Sequence, residues 1–175
     1  MQFVSTRGGS DPVGFFDAFA NGLAPDGGLY VPINLPFLPS DLIIDDSLPY
    51  AALAWDILGL FDSDHDADHL IELVDKSYGD FSDTMSAPLQ QLAENLFVLE
   101  LFHGPTLSFK DFGLQLIGNL FEEQIERTGQ TINVLGATSG DTGSAAIHGL
   151  AGKKGVNVFV LYPKGQKSGG SCTPD

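Results

Sequence analysis

One lysine, Lys110, lies between two phenylalanines in residues 102–112, where an apolar, strand-like run gives way to an amphipathic helix. The spacing places this lysine in the first turn of the predicted helix, where the helix dipole contributes partial positive charge. Apolar neighbours and that dipole both favour the neutral amine, which is the form that attacks carbonyl carbons to make Schiff bases. The stretch therefore predicts a lysine that binds a carbonyl group.

The same stretch also has a purely structural interpretation. Ser108 can cap the helix, and Asp111, three positions later, can complete a capping box with it. Lys110 would then extend its charged end into the solvent. These residues alone leave both interpretations open.

A second loop, residues 135–144, carries three glycines that let backbone amides converge just before another predicted helix. The dipole of that helix adds to these amides, so the loop is expected to hold a carboxylate or a phosphate. Thr138, Ser139 and Thr142 supply hydroxyl donors. The loop is neither a Walker loop, because Asp141 stands where glycine is needed, nor a G-x-G-x-x-G dinucleotide motif. A glycine-rich turn without a ligand is the structural alternative.

The elements that must position these two loops begin at residue 96. Strands are predicted at 96–101, 131–137 and 156–162, because these runs are almost continuously apolar, as in parallel strands covered on both faces. Helices are predicted at about 109–127 and 142–151 from their apolar spacing. This order indicates an α/β fold with an open, mainly parallel three-layer αβα sheet, and it places both loops at the carboxyl ends of strands, where ligands bind.

The first part of the chain predicts a smaller α+β domain with an acidic surface. Residues 1–100 hold 17 Asp and Glu against two Lys and Arg, whereas residues 101–175 hold six of each. Such a surface argues against binding nucleic acid or an anionic membrane. Strands are expected at 3–6 and 29–31, and helices from 11 to about 22, at 50–61 and at 67–78. The predicted domains are residues 1–95 and 96–165, followed by an atypical tail at 166–175.

A loop rich in aspartate and histidine, residues 62–69, raises the question of a metal site. Its alternating aspartates resemble the start of an EF-hand loop, but Ala67 and Leu73 stand where glycine and glutamate are needed. His65 and His69 have the spacing of a zinc motif, but the glutamate that should follow the first histidine is missing. We therefore expect a solvated loop between two helices and no metal.

Long motifs in this sequence resemble those of threonine synthases, which are pyridoxal-phosphate enzymes of fold type II. The most specific motifs are the two loops, FHGPTLSFKDF at 102–112 and ATSGDTGSAA at 137–146. Residues 5–8 and 22–32 resemble the N-terminal domain of the same family, and residues 162–165 continue the match.

This resemblance implies conversion of O-phospho-L-homoserine and water to L-threonine and phosphate, the last step of threonine biosynthesis, with pyridoxal 5′-phosphate as cofactor. It implies that Lys110 is catalytic, holds the cofactor as a Schiff base and moves protons on the substrate carbons. Asp141 would lie beside the cofactor ring. The substrate carboxylate would be bound by the second loop, at Thr138, Ser139, Gly140 and Thr142. No partner protein is readable.

The tail at 166–175 departs from the family pattern and reads as a truncated or frame-shifted end. Members of the family are much longer, and by resemblance their remaining part binds the cofactor phosphate and completes the sheet. We therefore expect the 175-residue chain alone to be inactive. Two alternatives remain, namely another fold type II enzyme such as a serine/threonine dehydratase, and a non-catalytic truncated product.

Composition sets the remaining limits. With 43% hydrophobic and 18% charged residues, the chain is expected to be globular. No apolar run reaches the length of a membrane span, and the N-terminus lacks the apolar core of a signal peptide. A single cysteine, Cys172, cannot form an intrachain disulfide, which favours a reducing compartment. The predicted location is the cytoplasm.

Overall fold

The computed structural model of the chain describes residues 1–40, 48–62, 65–138 and 140–163. The chain is a mixed α/β protein with two compact units, Met1–Asp75 and Lys76–Asp175. The predicted α/β class is therefore confirmed, while the predicted domain boundary after residue 95 stays a prediction. The tail at 166–175 lies outside the described residues. Within the described ranges, no helix is long and apolar enough to cross a membrane.

The elements nearest the N-terminus agree with most of the sequence predictions. They are strand β1 (Phe3–Ser5), helix α1 (Phe15–Asn21), strand β2 (Tyr30–Pro32), helix α2 (Tyr50–Phe61) and helix α3 (Ala67–Tyr78). The two strands pair antiparallel, with Val4 opposite Val31. Helix α1 begins later than predicted, because Val13 exchanges backbone hydrogen bonds of 2.8 and 2.9 Å with Phe3 and is held in an extended bridge.

The two N-terminal motifs meet at one carboxylate. Asp26 accepts hydrogen bonds from the Ser5 hydroxyl at 2.6 Å, from the Gly9 amide at 2.7 Å and from the Gly28 amide at 2.9 Å. The guanidinium of Arg7 donates to the backbone carbonyl of Asp26 at 2.9 Å. Hydrogen bonds from Ser5 and Gly28 hold the pKa of Asp26 below its ordinary value of 3.8. This carboxylate therefore fastens the loop after β1 to the turn before β2.

The loop between α2 and α3 is less solvated than its composition predicts. Asp62 is buried, and its carboxylate pairs with the ring of His65. That ring lies 4.9 Å from the ring of Phe16 and is stacked at 4.9 Å on the ring of His69. The prediction of a solvated loop is wrong for Asp62 and His65, because the flat faces of the imidazole pack against other rings. Asp64 lies outside the described residues, and the absence of a metal stays a prediction.

The remaining elements form two separate pairs of strands and two long helices. They are strand β3 (Leu89–Ala93), strand β4 (Leu96–Leu99), helix α4 (Asp111–Thr128), strand β5 (Ile132–Ala137), helix α5 (Asp141–Leu150) and strand β6 (Val156–Leu161). Strands β5 and β6 are parallel, with Val134 opposite Val158. The unit β5–α5–β6 is thus the parallel crossover that the sequence predicts.

Strand β4, which was predicted to be the first strand of the parallel sheet, belongs to a different pair of strands. Strand β4 pairs antiparallel with β3 in a hairpin, with Gln90 opposite Val98, and among the described residues it does not pair with β5. Residues 89–93, for which no strand was predicted, occupy the hydrogen-bonding edge of β4 through a short local turn. The side chains of β4 are half exposed, for example Phe97 at 51%, so this strand is not covered on both faces.

Helices α4 and α5 approach each other at two glycines. A Cβ atom at Gly118 would overlap the carbonyl oxygen of Gly149, and one at Gly149 would lie 2.6 Å from the carbonyl oxygen of Leu114. Ala145 and Leu150 of α5 are buried, as is Leu120 of α4. This close packing holds the C-terminal end of α5 against the first half of α4.

Candidate active site

Lys110 immediately precedes helix α4 and does not lie in its first turn. Its backbone is nevertheless helical, with φ −69° and ψ −17°, and no side chain caps the helix start. The Ser108 hydroxyl accepts a hydrogen bond from the backbone amide of Lys110 at 3.3 Å. The prediction that Ser108 caps the helix is therefore wrong. Its hydroxyl instead forms hydrogen bonds within the turn before the helix and with a residue where the second loop ends.

That other residue is Asp141, the first residue of helix α5. The Ser108 hydroxyl donates to Oδ2 of Asp141 at 3.0 Å, and Lys110 Nζ donates to the same oxygen at 3.0 Å. Ser108 is buried, whereas Asp141 is 60% exposed in its side chain. The structure thus joins the two loops that the sequence places at one edge of the sheet.

The surroundings of Lys110 differ from those expected of a neutral amine. Its side chain is 24% exposed and pairs with the Asp141 carboxylate. Nζ also lies 4.2 Å from the centre of the Phe109 ring, where the ring face attracts a cation. Both contacts stabilise the ammonium form. Phe109 was expected to favour the neutral amine, but the face of its ring contacts Nζ as a cation–π partner. An ammonium group must lose a proton before the amine can attack a carbonyl carbon.

Asp141 is the anionic partner in this pair. Hydrogen bonds from Lys110 and then Ser108 hold the pKa of Asp141 below its ordinary value of 3.8, against a smaller opposing effect of burial. The backbone amide of Thr142 donates to its other oxygen at 3.1 Å, and the N-terminus of α5 further favours negative charge. At neutral pH this carboxylate can accept hydrogen bonds but donates none.

A second carboxylate, Asp111, shapes the loop that carries Lys110. It is 0% exposed, and it accepts hydrogen bonds from the Thr106 amide and the Thr106 hydroxyl, both at 2.8 Å. The Ser108 amide lies 3.5 Å from the same carboxylate, at the limit of a hydrogen bond. A Cβ atom at Gly104 would stand 2.5 Å from Asp111, so glycine is needed for this approach. Asp111 was expected to pair with Ser108 in a capping box, but its main hydrogen-bond partner is Thr106.

The glycine-rich loop holds the other residues predicted for the site. Thr138 directly follows β5, and its hydroxyl accepts a hydrogen bond from the Gly140 amide at 3.4 Å, while Thr142 is exposed in the first turn of α5. Ser139 lies outside the described residues. An open cavity of about 400 Å³ borders this edge, lined by Ala137, Thr138, Leu161, Tyr162 and Pro163. The cavity lies at the carboxyl ends of β5 and β6, as predicted for a ligand edge.

Two relationships in this site escaped the sequence analysis. The bond between Ser108 and Asp141 spans 33 positions, and no local pattern indicates such a pair. The hydrogen bonds between Thr106 and Asp111 span five positions. A carboxylate next to a buried loop could have indicated them, because buried polar groups need hydrogen-bond partners. Both pairs place side chains beside the lysine, whose type and position the sequence identified.

Comparison with known proteins gives the same family at every level. Residues 2–78 match the family model described as the threonine synthase N terminus. The chain is 47% identical over 181 residues to threonine synthase of Schizosaccharomyces pombe, covering 96% of this chain and 35% of that protein. It is 44% identical over 170 residues to threonine synthase of Pseudomonas aeruginosa, covering 96% of this chain and 36% of that protein.

A solved structure shows that the likeness extends to the fold. The PLP-bound threonine synthase from Brucella melitensis matches with a TM-score of 0.90 and 39% identity, over 96% of this chain and 37% of that one. The chain therefore spans about a third of the length of the relatives and solved structures that it matches.

Proposed function

We propose that the chain is the N-terminal part of a threonine synthase and carries the lysine side of a pyridoxal-phosphate site, a proposal supported by the family match of residues 2–78 and by 47% identity to a threonine synthase. The whole enzyme of which this chain is a part is proposed to convert O-phospho-L-homoserine and water to L-threonine and phosphate. The observation that supports this proposal best is the contact between Lys110 and Asp141, because it brings a reactive amine to the glycine-rich loop at the open edge of β5 and β6. The proposed location is the cytoplasm.

The side chains at this edge fit the proposed cofactor. Pyridoxal phosphate, when bound, supplies an aldehyde for the lysine and a ring that withdraws electrons from the substrate carbons. Lys110 offers the amine, and the proposed role of Asp141 is to accept a hydrogen bond beside the ring. A Cβ atom at Gly143 would lie 2.7 Å from Cγ2 of Thr138, so only glycine allows the loop to fold this tightly against β5.

The chemistry proposed for Lys110 is covalent holding followed by proton transfer. Its ammonium must first lose a proton, and the Asp141 carboxylate, 3.0 Å away, stays an anion that accepts a hydrogen bond from Nζ. With cofactor and substrate bound, the Lys110 amine would be the base that takes a proton from one substrate carbon and returns it to another.

The second loop is proposed to bind the substrate carboxylate. The proposed donors are the hydroxyls of Thr138, Ser139 and Thr142 and the amide of Gly140, whose bond to the Thr138 hydroxyl is long at 3.4 Å, and the N-terminus of α5 favours a negative charge there. Asp141 opposes an anion at its own oxygens, so the carboxylate is expected on the side of the loop away from Oδ2. This arrangement orients the substrate amine towards the lysine.

A spectral titration tests the cofactor proposal. Purified chain is titrated with pyridoxal phosphate, and the absorbance band of a lysine-bound cofactor is followed. The wild type should give a saturable band, Lys110→Ala should not, and the exposed Lys154→Ala should behave as wild type. A band of equal size in Lys110→Ala would contradict the assignment. Activity is a separate question, for which we predict no phosphate release from O-phospho-L-homoserine by residues 1–175 alone.

A further inference from the structure

One short segment, residues 78–82, contacts the chain on both sides of Lys110. It runs from the last residue of helix α3 towards the β3–β4 hairpin, and the site described above makes no use of it. Upstream of the lysine it meets His103, and downstream it meets Phe112. The lysine is thus carried by a ten-residue stretch, 103–112, whose two ends are fastened to the same five residues.

The upstream end is held by hydrogen bonds between Ser82 and His103. The Ser82 amide donates to the carbonyl oxygen of His103 at 2.8 Å, and the Ser82 hydroxyl lies 3.2 Å from that oxygen and 3.4 Å from Nδ1 of the ring. The other ring nitrogen, Nε2, is 2.8 Å from Oε2 of Glu100. His103 therefore links residue 82 to the residue that follows β4.

The downstream end is held by aromatic packing and one hydrogen bond. Phe81 is buried, and its ring meets the ring of Phe112 edge-on at 4.9 Å. The hydroxyl of Tyr78 donates to the carbonyl oxygen of Phe112 at 3.0 Å, and Tyr78 is also buried. Phe112 is only two positions beyond Lys110, so this contact fixes the start of α4.

We propose that residues 78–82 are a clamp that holds Lys110 against Asp141, and that His103 is the positioning residue through which the clamp holds the upstream arm. The pair of Lys110 and Asp141 is partly exposed, and such pairs are too weak to order a loop by themselves. Fixing both ends of the stretch lowers the entropy that the loop loses when the pair forms. The value of this placement for catalysis rests on the proposed function, whereas the placement itself does not.

Competitive acylation tests the clamp without any cofactor. Purified chain reacts with a trace of acetic anhydride, and mass spectrometry gives the labelling of Lys110 relative to the exposed Lys154 over a range of pH. His103→Ala removes the ring contacts with Ser82 and Glu100 and keeps the bonds to the carbonyl oxygen. It should raise this ratio at neutral pH by up to about fivefold, which is the most that loss of a partly exposed pair allows. The labelling of Lys154 itself should stay unchanged.

Matched variants separate positioning from a general loss of structure. His148→Ala removes an exposed histidine of α5 and should leave the ratio unchanged. His103→Gln retains a donor for Glu100 and should restore part of the wild-type ratio. Tyr78→Phe keeps the buried ring, removes the bond to Phe112, and should raise the ratio less than His103→Ala.

The outcomes decide the proposal in every case. A wild-type ratio and pH profile in a folded His103→Ala chain would overturn it. If His103→Ala does not fold, Tyr78→Phe and Ser82→Ala decide, and unchanged labelling in both would overturn it as well. Because acylation needs no pyridoxal phosphate, a failed spectral titration beside a positive acylation result would reject the proposed function and leave the clamp intact.

Discussion

The ammonium group of Lys110 lies 3.0 Å from Oδ2 of Asp141, although 31 positions separate the two residues in the chain. The Ser108 hydroxyl bonds to the same oxygen, and the other oxygen accepts from the Thr142 amide. One carboxylate thus joins the turn before α4 to the start of α5. Its negative charge faces the lysine amine directly.

Asp141→Asn should make Lys110 more reactive towards small amine reagents at neutral pH. The amide removes the negative charge that stabilises the ammonium form, and an increase of about two- to fivefold in acylation rate corresponds to the strength of a partly exposed pair. The rate is measured by the same trace labelling, with Lys154 as internal reference. Glu126→Gln, which removes an exposed charge from α4, is the control. A rate unchanged in Asp141→Asn would show that the pair does not form in solution.

Asp111→Ala should destabilise the chain by about 1–3 kcal/mol, because it leaves two part-buried donors of Thr106 without their acceptor. Thr106→Val removes only the hydroxyl bond and should cost about 1 kcal/mol. Urea unfolding of both variants measures the difference. Equal free energies of unfolding for Asp111→Ala and the wild type would contradict the role given to this carboxylate.

The sequence predicted the parts of the fold that depend on short-range pattern. Helical apolar spacing located α2 and α3, and continuous apolar runs located β5 and β6. The predicted placement of β4 in the parallel sheet was wrong, because its partner β3 carries two adjacent glutamines, Gln90 and Gln91, which hide a strand from a pattern search. Which strands pair in the folded protein cannot be predicted from the sequence of one strand alone.

The candidate site shows the same difference between what a local pattern predicts and what packing determines. Lys110 was singled out from residue type and Asp141 from the family resemblance, and their loops were placed at one edge by the rules of parallel sheets. The contact between the two side chains was not predicted, because 31 positions separate them in the chain. Likewise the second partner of Ser108 could not be read from its neighbours. Contacts made across elements require the packed structure.

Gly118→Ala should destabilise the chain by about 1–3 kcal/mol, since the new methyl group would overlap the carbonyl oxygen of Gly149 on the facing helix. Gly113, on the same helix, has nothing within 4 Å of the position of a Cβ atom. Gly113→Ala should therefore stabilise by up to about 1 kcal/mol through helix propensity. Thermal unfolding compares the pair, and shifts of the same sign would refute the close packing of α4 and α5.

Asp26→Asn should destabilise the N-terminal unit at neutral pH, because three donors converge on the carboxylate and an amide offers only one oxygen. The pKa of Asp26 is lowered on folding, so its stabilisation is complete above the unfolded value of 3.8 and is lost as pH falls through the lower folded value. Denaturant unfolding should show a constant difference between wild type and variant down to about pH 5, narrowing below 3.8. A difference that widens in acid would reverse this assignment.

Covalent trapping tests the central assignment most directly. The chain is incubated with pyridoxal phosphate, reduced with borohydride and digested, and the attached cofactor is located among the six lysines by peptide mass. We predict that the label is concentrated at Lys110, and that Lys110→Ala loses it without a matching gain at Lys153 or Lys154. Label spread evenly over the lysines, or concentrated at Lys153 or Lys154, would contradict Lys110 as the residue that holds the cofactor.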